Sequence, residues 1–68
     1  MKSEYLVKMA NEIAAFYDGA DADPPAAVAD HLKRFWEPRM LAALAAHLEA
    51  GGAGLSPVAR AAAERLGR

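Results

Sequence analysis

Residues 31–40 read HLKRFWEPRM, and this stretch decides how the chain is divided into helices. It contains the only tryptophan of the sequence, Trp36, and three of the eight basic residues. Pro38 disfavours the α-helical conformation at Glu37, and proline is well suited to the first position of a helix. The stretch therefore predicts one helix that ends near Trp36 and another that begins at Pro38.

The apolar residues on both sides of this break recur with the period of an α-helix, and no stretch alternates as a strand would. Glycines at 19, 51 and 52 provide natural helix stops. The pattern predicts an all-α fold, a small bundle of three to four short helices joined by tight turns. We expect a single domain over 1–68, with helices at about 4–17, 24–36, 38–50 and 57–66.

The turns contain residues that are suited to capping. Ser3, Asp23 and Ser56 each precede a predicted helix, where a side-chain oxygen can accept a hydrogen bond from an unpaired backbone N–H. The segment GGAG at 51–54 follows a helix and lacks the Lys-Ser/Thr of a phosphate-binding loop. We therefore expect it to end the third helix.

Each predicted helix has one apolar face. The expected core positions are Leu6, Met9, Ala10, Ile13, Phe16 and Tyr17; Val28, Leu32 and Phe35; Leu41, Leu44, Ala45 and Leu48; and Leu55, Val58, Ala62 and Leu66. Tyr5 and Val7 lie outside the main face of the first helix, so apolar residues cover more than half of its circumference. In so small a protein, such a helix is either central or covered by another chain.

The composition argues against several functional classes. The chain has no cysteine, which excludes disulfides and thiolate ligation of zinc or iron–sulfur clusters. His31 and His47 lie on different predicted helices without further ligands near them in sequence, and no nucleophile has an adjacent base, so we expect neither a metal site nor catalysis. The net charge of −1 disfavours nucleic-acid binding. Charges near the N-terminus and the short apolar runs predict a cytoplasmic chain with no membrane partner.

The residues alone leave two interpretations of the stretch around Trp36. Phe35 completes the apolar stripe of the second helix, whereas Trp36 is large for a core built mostly of alanine and leucine. Exposed tryptophan, arginine and methionine together are typical of interface hot spots. A corner of the core with solvated charges and a docking surface are equally compatible with this pattern.

Three blocks of sequence together resemble the small delta subunit of bacterial NAD-dependent formate dehydrogenases, which are soluble complexes that contain molybdenum or tungsten. The blocks are EYLVKMANEIAAFY at 4–17, VADHLKRFWEPRM at 28–40 and LAAHLEAGGAGLSPVARAAAERL at 44–66. The segment from Phe35 to Met40 is the most specific part of the resemblance, followed by LVKMAN at 6–11.

The resemblance implies a non-catalytic accessory subunit that docks on the large alpha subunit to support its stability or assembly. In such complexes the alpha subunit carries bis-molybdopterin guanine dinucleotide and iron–sulfur clusters, and the beta and gamma subunits pass electrons to FMN and NAD. No cofactor is expected on this chain. One alternative is a transient assembly factor for cofactor insertion; a more remote one is a small nucleic-acid-binding regulator that uses Lys33, Arg34 and Arg39.

With the resemblance, docking becomes the favoured interpretation of the stretch around Trp36. We expect Trp36 to insert into a pocket of the alpha subunit, with Arg34 and Arg39 paired with carboxylates at its rim and Met40 filling adjacent apolar space. The full set of expected partner-binding residues is Lys33, Arg34, Phe35, Trp36, Pro38, Arg39 and Met40, with Met9 and Asn11 from the first helix.

Overall fold

The computed structural model describes residues 2–66, which form four α-helices and, within that range, no strand. The helices are α1 (Ser3–Tyr17), α2 (Pro24–Phe35), α3 (Pro38–Glu49) and α4 (Pro57–Leu66). Short turns join them, and α1 packs against each of the other three helices. This arrangement confirms the predicted all-α bundle.

The predicted break between α2 and α3 lies at Trp36 and Glu37. Both residues have extended backbone, with ψ of 140° and 153°. The N–H of Trp36 still donates to the carbonyl of Leu32 at 2.9 Å, so the last hydrogen bond of α2 is kept while the chain leaves the helix. Pro38 then begins α3 without an intervening loop.

The indole of Trp36 lies in the core of the protein. Only 7% of the residue is exposed, and it belongs to the buried cluster that contains Leu32 and Leu44. The expectation that Trp36 is exposed is therefore wrong. Val28, Leu32 and Trp36 follow one another at four-residue spacing, which places them on one side of α2. Phe35, three positions after Leu32, lies near the same side but is 71% exposed, so its predicted place in the core is wrong.

The core is rich in alanine. It contains Leu6, Ala10, Ala14, Val28, Ala29, Leu32, Trp36, Leu44, Leu55, Ala59, Ala62 and Ala63. The alanines of α4 let that helix pack extensively against α2, and the large indole supplies volume that the small side chains lack. Phe16 is 74% exposed, so its predicted place in the core is also wrong. The buried face of α1 is Leu6, Ala10 and Ala14.

Two of the three predicted N-caps are confirmed. The Asp23 carboxylate accepts from the N–H of Ala26 at 3.4 Å, and the Ser56 hydroxyl accepts from the N–H of Ala59 at 3.2 Å. The Ser3 cap is wrong, because Ser3 is already helical and the N-cap residue is Lys2, which makes no side-chain cap hydrogen bond.

The glycine stop after α3 is confirmed. The N–H groups of Gly51 and Gly52 donate to the carbonyls of Leu48 and His47 at 3.0 and 2.9 Å, as in a Schellman motif. Gly52 has a φ of +64°, and a Cβ there would lie 2.9 Å from the guanidinium of Arg60. That guanidinium donates to the Gly51 and Gly52 carbonyls, so α4 secures the end of α3.

Asn11 joins this turn to α1 through both ends of its amide. Its Nδ2 donates to the carbonyl of Gly54 and its Oδ1 accepts from the N–H of Ser56, each at 2.9 Å. His47 also contacts the turn, with Nε2 lying 2.8 Å from the carbonyl of Ala53. Asn11 thus fixes the approach of the chain to α4.

Replacing the buried indole tests the assignment of the core. Trp36→Ala should lower the free energy of unfolding by ~3–5 kcal/mol, which is comparable with the whole stability available to a domain of this size. Phe35→Ala should change it by less than ~0.5 kcal/mol, because the ring is mostly in water. Urea titrations followed by circular dichroism measure both. Equal losses for the two variants would contradict the assignment.

Removing the amide of Asn11 tests the link between α1 and the turn. Asn11→Ala leaves the half-buried Ser56 N–H without its acceptor, so the free energy of unfolding should fall by ~1–3 kcal/mol. Amide hydrogen exchange at Ser56 should accelerate at the same time. Ser3→Ala is the control, because the structure gives its hydroxyl no capping role. A wild-type exchange rate at Ser56 in Asn11→Ala would show that the link is unimportant.

Candidate docking surface

The residues from 2 to 66 do not assemble a metal-binding cluster. No group of three or more histidine, cysteine, aspartate or glutamate residues between 2 and 66 is arranged to hold a metal ion. His31 and His47 lie apart, one against Tyr17 and the other against the turn after α3. In the same range, no helix has the length and apolar character needed to cross a membrane.

The most distinctive surface feature is a row of four rings that runs from α1 to α2. Phe16 meets Tyr17 edge-on at 5.2 Å between centroids, Tyr17 meets His31 at 5.9 Å, and His31 meets Phe35 at 4.7 Å. We call these four residues the aromatic surface. Its two outer residues, Phe16 and Phe35, are more than 70% exposed. Such exposure is unusual for phenylalanine, above all in a protein whose core has many small side chains.

The inner rings hold the aromatic surface in place. Tyr17 and His31 are half-buried, and the Tyr17 hydroxyl lies 3.4 Å from Nδ1 of His31. The two phenylalanines extend outward from this pair. A shallow groove, lined by Glu12, Ile13, Phe16, Tyr17 and His31, opens beside them. An apolar partner side chain would find a preformed apolar site there.

A second row of apolar residues follows α1 toward its N-terminus. Tyr5, Met9, Ile13 and Phe16, which we call the α1 stripe, are spaced by four, four and three residues. Tyr5 is 58% exposed, and Met9 and Ile13 are half-buried at the edge of the core. Phe16 belongs to both features, so the α1 stripe and the aromatic surface form one continuous apolar face.

The residues predicted to bind a partner differ in how exposed they are. Lys33, Arg34, Phe35, Pro38 and Arg39 are exposed. Met9 and Met40 are half-buried against the core, Asn11 is bound to the turn, and Trp36 is buried.

The basic residues do not form one patch with Phe35. Two residues of helix turn the chain by 200°, so Lys33 and Phe35 lie about 160° apart around α2. Arg34 pairs with Asp30 across one helical turn, at 3.0 Å between Nε and Oδ2, and both side chains are exposed. Because Arg34 already has an acidic partner in this chain, it is less available to bind a nucleic-acid phosphate or a carboxylate of a partner protein.

The sequence analysis did not include Tyr5, Ile13, Phe16, Tyr17 or His31 among the expected partner-binding residues. Ile13, Phe16 and Tyr17 fit the period of the apolar face of α1, which predicts core positions for them. The available signal was the excess of apolar residues around α1, which indicated either a central helix or a covered one. The structure shows that α1 contacts the other three helices and still leaves Tyr5 and Phe16 exposed to water.

The comparison with protein families agrees with the resemblance in the sequence. The profile of the NADH-dependent formate dehydrogenase delta subunit family, FdsD, matches residues 5–63. No curated protein and no solved structure matches the chain. The family match includes every residue of the aromatic surface and of the α1 stripe. The chain therefore belongs to the FdsD family of formate dehydrogenase delta subunits.

Proposed function

We infer that this chain is a non-catalytic accessory subunit that docks on the large, molybdopterin-containing alpha subunit of a formate dehydrogenase and supports its stability or assembly. Membership of a delta-subunit family supports a role within a complex that also contains beta and gamma subunits. The observation that carries the docking role is the aromatic surface. Two exposed phenylalanines, held in place by a half-buried Tyr17–His31 pair, are suited to bind another protein.

The size of the molecule supports this inference. The accessible surface of the chain is 4332 Å². A protein–protein interface of standard size covers about 800 Å² on each partner, which would be roughly a fifth of this surface. Burying an exposed phenylalanine contributes about 1.5–3 kcal/mol, so the two outer rings could supply much of the driving force.

Docking would also stabilise the chain itself. Half of the buried residues are alanines, which contribute little apolar area, and a domain of this size rarely exceeds ~3–5 kcal/mol of stability on its core alone. A partner that binds only the folded form adds to that stability by linkage. The accessory subunit and its partner would then stabilise one another.

The proposal reassigns the residues expected to meet the partner. Phe35 keeps its role as a contact and gains Phe16 as its counterpart. Met9 contributes through the α1 stripe, and the exposed Arg34, Pro38 and Arg39 would lie at the rim. Lys33 lies on the opposite side of α2 from Phe35, so we no longer propose it as a contact. Trp36 acts indirectly, by fixing the direction of α3 after α2. Asn11 acts indirectly as well, through the turn that it holds, and Met40 supports the core edge.

All redox chemistry would remain on the partner subunits. We assign bis-molybdopterin guanine dinucleotide and iron–sulfur clusters to the alpha subunit, and FMN and NAD to the beta and gamma subunits. The described part of this chain has no metal-binding cluster, in keeping with a supporting role. Its contribution would be a protein surface and not a ligand.

The docking role predicts that the two outer rings are needed for complex formation. In co-expression with the other subunits, Phe16→Ser together with Phe35→Ser should lower recovery of this chain on a tagged alpha subunit by at least about tenfold, because two apolar anchors are lost. Helicity of the isolated chain should be preserved. The ratio of the two chains is measured by quantitative mass spectrometry.

Lys33→Ser is the matched control, since it removes an exposed side chain from the opposite side of α2. It should leave the ratio near the wild-type value. Wild-type recovery of the double phenylalanine variant would contradict docking through the aromatic surface. The wild-type ratio itself separates two roles, because a permanent subunit is equimolar with alpha and a transient assembly factor is substoichiometric.

A further inference from the structure

Each residue of the α1 stripe except the last comes one position before a buried residue. Tyr5 precedes Leu6, Met9 precedes Ala10 and Ile13 precedes Ala14. One residue corresponds to a rotation of about 100° around a helix, so the stripe is a second apolar face beside the buried one. Nothing in the described part of the chain covers its two ends, Tyr5 and Phe16.

We propose that the partner element seated on this face is an amphipathic helix that lies lengthwise along α1 and carries a basic side chain opposite Glu12. This inference rests on the proposed docking role and specifies its geometry. Phe16 lies eleven positions after Tyr5, so the stripe is about 16 Å long, or three helical turns. A partner helix of the same length would place one apolar side chain on each turn.

The backbone of α1 explains why the occupant is a helix. The N–H and carbonyl groups in the middle of a helix are bonded to one another, so α1 offers no edge to which an extended strand could add. An extended segment laid on the stripe would leave its own polar backbone groups against apolar side chains, which is costly. A helix satisfies these groups internally and presents only side chains.

A negative charge beside the groove indicates which kind of side chain the partner helix carries there. Glu12 lines the groove beside Ile13 and Phe16, and it is exposed. Neither ion pair formed among residues 2–66 involves Glu12. A lysine or arginine on the docked helix would therefore meet a carboxylate that is available, at the edge of an otherwise apolar contact. Such a charge mainly fixes the register and orientation of the helix.

Photo-crosslinking in the co-expressed complex tests the geometry. Tyr5 and Phe16 are each replaced by p-benzoylphenylalanine, and the crosslinked residues of the other subunits are mapped by mass spectrometry. A helix along the stripe predicts one partner segment in which the two crosslinked positions are about eleven residues apart. An extended segment over the same 16 Å would place them only about five residues apart.

The outcomes separate this inference from the proposed docking role. A spacing of about five residues, two unrelated partner segments, or crosslinks only to a second copy of this chain would each overturn the docked helix. If recovery still depends on Phe16 and Phe35, docking survives that result. Absence of crosslinks from both positions, together with wild-type recovery of the double phenylalanine variant, would overturn both proposals.

Charge reversal tests the basic side chain. Glu12→Lys should lower recovery on the alpha subunit by about threefold to tenfold, because like charges would then meet at the groove. Glu64→Lys, an exposed glutamate on α4, is the control and should have no effect. Circular dichroism confirms that α1 is intact in both variants. Equal recovery of the two variants would overturn the basic side chain opposite Glu12.

Discussion

The fold depends on the burial of one indole, that of Trp36, in a core whose other side chains are mostly small. Six of its twelve buried apolar residues are alanines, and apart from Trp36 the others are four leucines and a valine. Trp36 fills this space because α2 ends one residue before it and Pro38 begins the next helix at once. The same break sets the angle between α2 and α3.

The adjacent aromatic residue, Phe35, is exposed whereas Trp36 is buried, and this difference determines where the exposed rings lie on α2. The packing that buries Trp36 leaves Phe35 exposed to water, where Phe35 continues the row of rings that Phe16 begins on α1. Residues that stabilise the fold and residues available to a partner thus alternate along the chain. Substitution of the buried residue of such a pair can lower the stability of the fold and leave the exposed surface intact. Substitution of the exposed residue can remove part of the surface and leave the stability unchanged.

The parts of this structure that follow from local chemistry could be predicted from sequence. Pro38 excluded a continuous helix, the glycines at 51 and 52 ended α3, and Asp23 and Ser56 capped the helices that follow them. The choice between Phe35 and Trp36 could not be predicted, because residues three and four positions after Leu32 both fall near one helix face. Only packing against the other helices decides between them. The bonds of Asn11 also escaped prediction, since its partners are more than 40 residues away.

The unusual composition of α1 is explained if it has four helical neighbours and not three. Within the chain it contacts α2, α3 and α4, and these contacts account for Leu6, Ala10 and Ala14. They do not account for Tyr5 and Phe16, which lie at the ends of a face that no other helix of the described chain covers. A polar stripe there would be favoured in a protein that acts alone, since exposed apolar faces promote association. A partner helix on that face would complete the surroundings of α1, so α1 would pack against the other three helices of the chain on one side and against the partner on the other.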